Sequence, residues 1–301
     1  LNKPFLYETS TETAYQTVKQ TSSLQLLLFF FFSSLAQSPT CRTLSIGMEK
    51  AQTSLYAFSA TEAPMKCLSS RDRKDQLVQY NLDQNLKFFK FRFTGATVTT
   101  ASDYEQLLVD LLTSTSVLKT LAIDGAPALP MQYSAQQLKI SVMKMGFFDK
   151  LDESDIVGPG GTIKGCFDEV VDGLTVGDTL REMLANSCSE RADLFSTDEQ
   201  AELIFQLFKI VAVGGTLCQT ESTVDRYLDI TRDIYKELVT IYKDSKTETV
   251  QFAGRAYVLQ SAKNLTLFPD NPESPHNRLL LLVDPLKKTV TVVKNSFKPF
   301  W

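Results

Sequence analysis

Phe195-Ser196-Thr197-Asp198-Glu199, Leu203-Ile204-Phe205-Gln206-Leu207-Phe208-Lys209-Ile210-Val211, Gly214-Gly215-Thr216-Leu217-Cys218-Gln219 and the run from Tyr227 to Leu238 form one stretch that decides how this 301-residue chain folds. Ser196 and Glu199 have the spacing of a capping box, in which hydroxyl and carboxylate satisfy free amides of a first helical turn. Leu203, Ile204, Leu207, Phe208 and Val211 then follow the 3, 4 spacing of one helix face, with Phe205 and Ile210 on its flanks. A helix apolar over so much of its girth packs on several sides. Gly214-Gly215 supplies the positive-φ residue of a helix C-cap. The second helix is expected from Ser222, three residues before Asp225, with Val224, Leu228, Thr231, Tyr235, Leu238 and Tyr242 inward. Asp229 with Arg232 and Asp233 with Lys236 stand at i,i+3, each pair worth ~0.2–0.5 kcal/mol.

Working outward, Leu55–Phe58 reads as a short strand and Ser70–Leu82 as a charged helix contacting the core through Leu77 and Val78. Phe89, Phe91 and Phe93 alternate with Lys90 and Arg92, the pattern of a half-buried strand. Ser102 and Glu105 make a second capping box, opening a helix with Leu107, Leu108, Leu111 and Leu112 inward. Strands are expected at Val117–Ile123 and Leu138–Met143, a turn-rich loop at Gly158–Gly161, and a helix over Asp178–Leu184. Beyond Tyr242 the pattern is β. Thr249–Phe252 and Arg255–Leu259 flank Ala253-Gly254, read as a two-residue hairpin turn. Leu279–Val283 is a continuous apolar run suited to a buried central strand, returning through Asp284-Pro285 to Val290–Val293. The class is α+β (mixed α/β), a single compact unit with a mixed sheet, a central helical pair and a C-terminal β-hairpin region.

That unit is assigned to residues 48–301. Residues 1–47 are set aside as a leader, non-native or disordered: the first methionine is Met48, and the Phe29–Phe32 tract resembles a translated pyrimidine-rich non-coding sequence. The apolar run over residues 24–36 also fits a signal peptide cleaved after Ala36; it falls short of the ~20 residues of a membrane-spanning helix. Setting aside Lys3, Lys19, Arg42, Glu8 and Glu12 leaves 28 basic and 33 acidic residues. A mildly acidic chain without a Lys/Arg block argues against nucleic acid and against an anionic membrane surface as partners. Cys67, Cys166, Cys188 and Cys218 are far apart and read as reduced thiols, and the Asn264-Leu265-Thr266 sequon matters only in a secreted protein.

Little in the sequence looks catalytic. His276 is the only histidine, in a proline-bounded loop, and reads as a surface residue. The loop Gly158-Pro159-Gly160-Gly161 invites an anion, but Thr162-Ile163-Lys164-Gly165 lacks the Gly-Lys-Ser/Thr of a P-loop. Asp149, Asp152, Glu153 and Asp155 form an acidic cluster without EF-hand spacing. No catalytic residue, cofactor or metal ligand is assigned.

One further set of residues carries a resemblance. Phe195-Ser-x-x-Glu199, Leu207-Phe208-Lys209, Gly214-Gly215-x-Leu217-Cys218-Gln219, Tyr227-Leu228-x-x-Thr231 and Ile234-Tyr235-Lys236-Glu237-Leu238-Val239 are similar to the cilia- and flagella-associated protein 300 family. Phe147-Phe148-x-x-Leu151-x-Glu153-x-Asp155-Ile156-Val157 and Val283-Asp284-Pro285 fit the same family. The similarity is dense over Leu138–Tyr242, thinner over Leu55–Phe93 and Leu279–Val293, and gives no pattern before Met48 or over Lys246–His276. The resemblance implies a non-enzymatic adaptor or scaffold for outer and inner axonemal dynein arms, located in cytoplasm and cilium or flagellum. It also implies dynein axonemal assembly factors and dynein arm subunits as partners, and entry into the cilium by intraflagellar transport. The contact surfaces expected are Asp149–Asp155 or the exposed face of Asp225–Glu237. A small-molecule or nucleotide-binding α/β enzyme using the Gly158–Gly161 loop is the alternative from another class.

Overall fold

Strand formation begins where aromatic and β-branched residues alternate, and it does so in both ends of the chain. The computed structural model describes residues 54–62, 64–243 and 248–298; they belong to one compact unit, Thr43–Trp301. The leader readings, including cleavage after Ala36, lie outside the described residues. In chain order the elements are β1 (Tyr56–Thr61), α1 (Arg71–Gln79), β2 (Leu86–Gly95), α2 (Ala101–Thr113), α3 (Thr115–Thr120), β3 (Asp124–Gly125) and β4 (Tyr133–Leu138). Then come α4 (Lys150–Glu153), β5 (Gly165–Val171), β6 (Leu174–Asp178), α5 (Thr179–Ala185), α6 (Thr197–Gln200), α7 (Leu203–Val213) and α8 (Val224–Leu238). The C-terminal part holds β7 (Ile241–Lys243), β8 (Val250–Phe252), β9 (Arg255–Ala262), β10 (Leu265–Thr266), β11 (Arg278–Asp284) and β12 (Thr289–Asn295).

Six strands form the central sheet in the order β1-β2-β12-β11-β9-β4, with antiparallel pairing at each contact. Because side chains alternate along a strand, the unbroken apolar run of β11 serves two cores. Leu279, Leu281 and Val283 pack with Phe91, Phe93, Val290 and Val292 under α2 and α3. Leu280 and Leu282 point the other way, joining Val293, Ala256 and Leu138 under α5, α7 and α8. The α+β class and the central helical pair follow the sequence reading, and the sheet is covered by helices on both faces; the expected mixed sheet is instead antiparallel throughout its six strands.

Several expected boundaries move, each for a local reason. The Ser196–Glu199 capping box forms, but it caps the one-turn helix α6. The chain then breaks at Glu202, because Lys139 N donates to Ala201 O and Leu203 N donates to Lys139 O (both 2.9 Å). Ser222 and Asp225 form no box: Thr223 is extended and bridges Thr162, Ser222 O accepts from Ile163 N, and α8 starts one residue after Thr223 without a side-chain cap. The box expected at Ser102–Glu105 is formed instead by Thr100 and Asp103, which starts the helix earlier.

Val117–Ile123 is not a strand. Val117, Leu118 and Leu121 are buried at helical spacing around α3, and so short an apolar run fits either period. The strand expected at Leu138–Met143 lies earlier, as β4, because the chain leaves the sheet at Lys139 to meet Glu202. Val78 does not contact the core; it is exposed, and Leu77 and Tyr80 face inward. Ala253-Gly254 is a corner rather than a hairpin turn: β8 pairs with β7, whereas β9 pairs with β11 and β4. Glycine is required there because a Cβ on Gly254, at φ +83°, would sit 1.8 Å from Val283 O.

Candidate functional site

The acidic segment of the sequence reading is split by the fold into a paired part and a free part. Arg191 grips Asp155 bidentately, Nε to Oδ1 at 3.0 Å and Nη2 to Oδ2 at 2.7 Å, and reaches Glu182 at 2.9 Å. Its guanidinium holds the Asp155 carboxyl below the usual range. Lys150, at the start of α4, salt-bridges Glu199 at 2.7 Å. Asp149, Asp152 and Glu153 stay exposed, with no ion pair among the described residues.

The polar face of α8 is less free than its sequence implied. Arg73 of α1 pairs with Asp233. Glu237 accepts from Lys66 N (2.7 Å) and Cys67 N (2.8 Å), holding the short 3-10 helix Lys66–Leu68 against α8. Partial burial pushes the Glu237 carboxyl up, but the amide bonds from Cys67 and Lys66 outweigh it and leave it lowered. Burial, with the Glu237 hydrogen bond second, drives the Cys67 thiol up to about 12, so it is no thiolate nucleophile. Asp229–Arg232 forms at 2.9 Å. The expected Asp233–Lys236 pair does not, because Asp233 is drawn to Arg73 and Arg232.

The Gly158–Gly161 loop closes on itself. Gly158 N donates to Thr162 O (2.7 Å) and Gly161 N to Gly158 O (3.2 Å), so two of the amides an anion would use are committed. The loop lines neither the cavity of about 720 Å³ bordered by Gln136, Gln206, Gln260, Asn277 and Arg278 nor that of about 40 Å³ beside Leu282 and Thr240.

His276 is not a surface residue: it is 5% exposed, with its ring 4.8 Å from that of Phe297. Burial lowers its pKa to about 4, and Nε2 has no hydrogen-bond partner. Cys67, Cys166, Cys188 and Cys218 are free thiols. Among the described residues, no group of three or more His, Cys, Asp or Glu is placed to hold a metal. No described helix is long and apolar enough to cross a membrane.

Most of the residues that carry the family resemblance converge on one construction, the seat of α7 and α8; Val283 belongs instead to the core on the other face of the sheet. Gly215 N donates to Tyr80 O (2.9 Å), Gln219 N to Gln79 O (2.8 Å) and Leu217 N to the Asn81 side chain (3.3 Å). The glycine turn is thus laced to the end of α1. Tyr80 and Tyr227 rings lie 5.1 Å apart. The Tyr80 hydroxyl donates to Glu221, and Glu221 N donates to the Tyr227 hydroxyl. Buried Arg181 donates to Val213 O and Thr175 O, both at 3.0 Å, closing the C-terminus of α7. At the other end Phe147, Phe148, Phe195, Phe205 and Phe208 form a chain of ring contacts from 4.7 to 6.0 Å.

One feature escaped the sequence reading. β5 and β6 form a two-stranded hairpin on which Phe167 is 99% and Val170 71% exposed. Its turn is Asp172-Gly173, with φ +50° and +81°. An Asp-Gly pair between two β-rich runs is the strongest short hairpin signal a sequence offers, and it stood in plain view.

A family model described as cilia- and flagella-associated protein 300 matches residues 55–295, a span that includes the Lys246–His276 stretch where no motif had been placed. A Chlamydomonas reinhardtii protein named "Cilia- and flagella-associated protein 300" is 32% identical over 243 residues, 76% of this chain and 92% of its own length. A Paramecium tetraurelia protein of the same name is 31% identical over 198 residues, 65% of this chain and 77% of its own length. No solved structure matches the chain.

Proposed function

The chain belongs to the cilia- and flagella-associated protein 300 family, and from that premise we propose that it is a non-enzymatic adaptor in the cytoplasmic assembly and ciliary transport of outer and inner axonemal dynein arms. The observation that carries the adaptor part of the reading is where the family-like residues are spent. Gly214, Gly215, Gln219, Tyr227 and the Phe147–Phe148–Phe195 group close turns and fill a core, away from the two cavities described above; Glu237, Leu238, Val239, Val283 and Asp284 border only the cavity of about 40 Å³, which has room for little more than a water molecule. Residues spent this way build a rigid platform, and a platform works through its outer surface. Dynein axonemal assembly factors and dynein arm subunits are the partners proposed, meeting the chain at the free acidic residues Asp149, Asp152 and Glu153. The alternative face on α8 is partly covered by Arg73 and by the Lys66–Leu68 turn.

Deleting the protein in a ciliated host and imaging axoneme cross-sections tests the reading. Loss of outer and inner arms from otherwise intact doublets is the expected result. Complete arms and normal beating would refute it. Charge reversal at Asp149, Asp152 and Glu153 is expected to release a co-purified assembly factor from an otherwise folded protein.

A further inference from the structure

The β5–β6 hairpin is built in a way that folding alone does not require. β6 faces inward through Leu174 and Val176, whereas β5 turns Phe167 and Val170 to solvent. Few large side chains are less covered than a phenylalanine at 99% exposure, and an aromatic ring is the largest apolar surface a strand can offer. β5 pairs with β6 on one side only. Residues 166–170 make no backbone hydrogen bond outside the hairpin among the described residues. An open edge with an apolar side chain invites another strand.

The charge on the hairpin says which strand. Gly165–Asp178 contains Asp168, Glu169, Asp172 and Asp178 and no Lys or Arg. Asp168, Glu169 and Asp172 are exposed and form no ion pair among the described residues. The base of the hairpin adjoins the acidic segment: Lys164 N, one residue before β5, donates to Ile156 O at 3.0 Å. A second copy of this edge would bring like charges face to face, which opposes self-pairing. Because side chains alternate along a strand, an alternating basic and apolar strand would cover Phe167 or Val170, which stand three residues apart, with its apolar face and meet Asp168, Glu169 or Asp172 with its basic face.

We propose that the open edge of β5 is a docking site for an extended segment of a partner protein, alternating Lys or Arg with apolar residues, added by strand pairing. The inference rests on the adaptor reading and gives its partner a chemistry. The test uses the purified chain and a fluorescent decapeptide alternating Lys and Val, with a Glu/Val peptide as control, read by anisotropy. The Lys/Val peptide is expected to bind, more weakly as salt rises, and the Glu/Val peptide not to bind. Phe167→Ser with Val170→Ser, and separately Asp168→Lys with Glu169→Lys, should each weaken binding about tenfold or more. Both variants should keep the parent denaturation midpoint, since the altered side chains are exposed. Absence of Lys/Val binding, or binding that survives the Phe167→Ser and Val170→Ser pair, overturns the proposal. The peptide assay judges the hairpin alone and arm loss on deletion judges the adaptor reading, so the two fail separately.

Discussion

Gly214→Ala is the substitution whose cost the structure specifies most fully. Gly214 ends α7 at φ +64°, ψ −158°, a region essentially restricted to glycine, where other residues pay about 1–3 kcal/mol. The new Cβ would lie 2.7 Å from both Cys218 Sγ and Tyr80 O. Tyr80 O cannot simply retreat, because Gly215 N donates to it at 2.9 Å. Crowding of this kind costs about a further 1–3 kcal/mol. Alanine also reduces the freedom of the unfolded chain, which offsets about 0.4–1 kcal/mol. The net expectation is a loss of about 1–5.6 kcal/mol, centred near 3, a large share of the ~5–15 kcal/mol that holds a typical domain. Gly173→Ala is the control, because Gly173 also has positive φ, +81°, but a Cβ there meets nothing within 4 Å. It should cost about 1 kcal/mol. Urea denaturation at unchanged slope gives both numbers. Equal midpoints for the two variants would refute the close-approach argument and leave only backbone strain.

Three further outcomes follow from buried charge and from the α1–α8 contact. His276 has its pKa lowered to about 4 by burial, so between the unfolded value of about 6.5 and pH 4 the unfolded chain binds the extra proton; stability is full above that window and falls by up to about 3 kcal/mol through it, and His276→Gln should flatten this acid limb in denaturation midpoints measured from pH 7 to 4. Burial lowers Lys209 to about 8, with Arg278 adding to the shift, and Lys209 has no hydrogen bond or ion pair among the described residues. Lys209→Met should therefore stabilise by about 1–3 kcal/mol at pH 7, an advantage that shrinks between pH 8 and 10.5 as the folded lysine loses its proton first; an unchanged or lower melting temperature at pH 7 contradicts this. A double-mutant cycle of Arg73→Ala and Asp233→Ala should return a coupling of about 1 kcal/mol, and a value near zero would mean that α1 is held to α8 by other contacts.

What could be read from the sequence was set by how many independent signals met at one place. Leu279–Val283 was legible because five apolar residues in a row leave no polar face, and both faces of β11 are indeed buried. The pair α7–α8 was legible because spacing and a glycine stop agreed. Where one signal stood alone it misled. Ser102–Glu105 and Thr100–Asp103 overlap, and only the packing of Tyr104, Leu107 and Leu111 selects the second. Val117–Ile123 is too short for its period to separate strand from helix. His276 was placed outside by its neighbouring prolines, while Phe297, 21 positions away, is what covers it. Of the candidate contact surfaces, the charges themselves were legible, but their pairing was not. Arg191 on Asp155 and Arg73 on Asp233 reach across 36 and 160 residues, distances over which no local spacing rule operates.

The same contrast explains why kinship was easier to read than a binding surface. Gly214 is dictated by two dihedral angles and two close neighbours, Cys218 and Tyr80, and Phe148 by the rings of Phe147, Phe195 and Phe208. Geometry of that kind demands a residue type at a fixed interval, and fixed intervals are what a sequence displays. Phe167 obeys no such demand. It touches little, caps nothing, and could be serine without disturbing β5 or β6. Its only cost is the water it holds, and that cost ends when something covers it. A residue that folding leaves idle, set on an open strand edge among unpaired carboxylates, is therefore better evidence of a partner than any residue in the laced seat of α7 and α8.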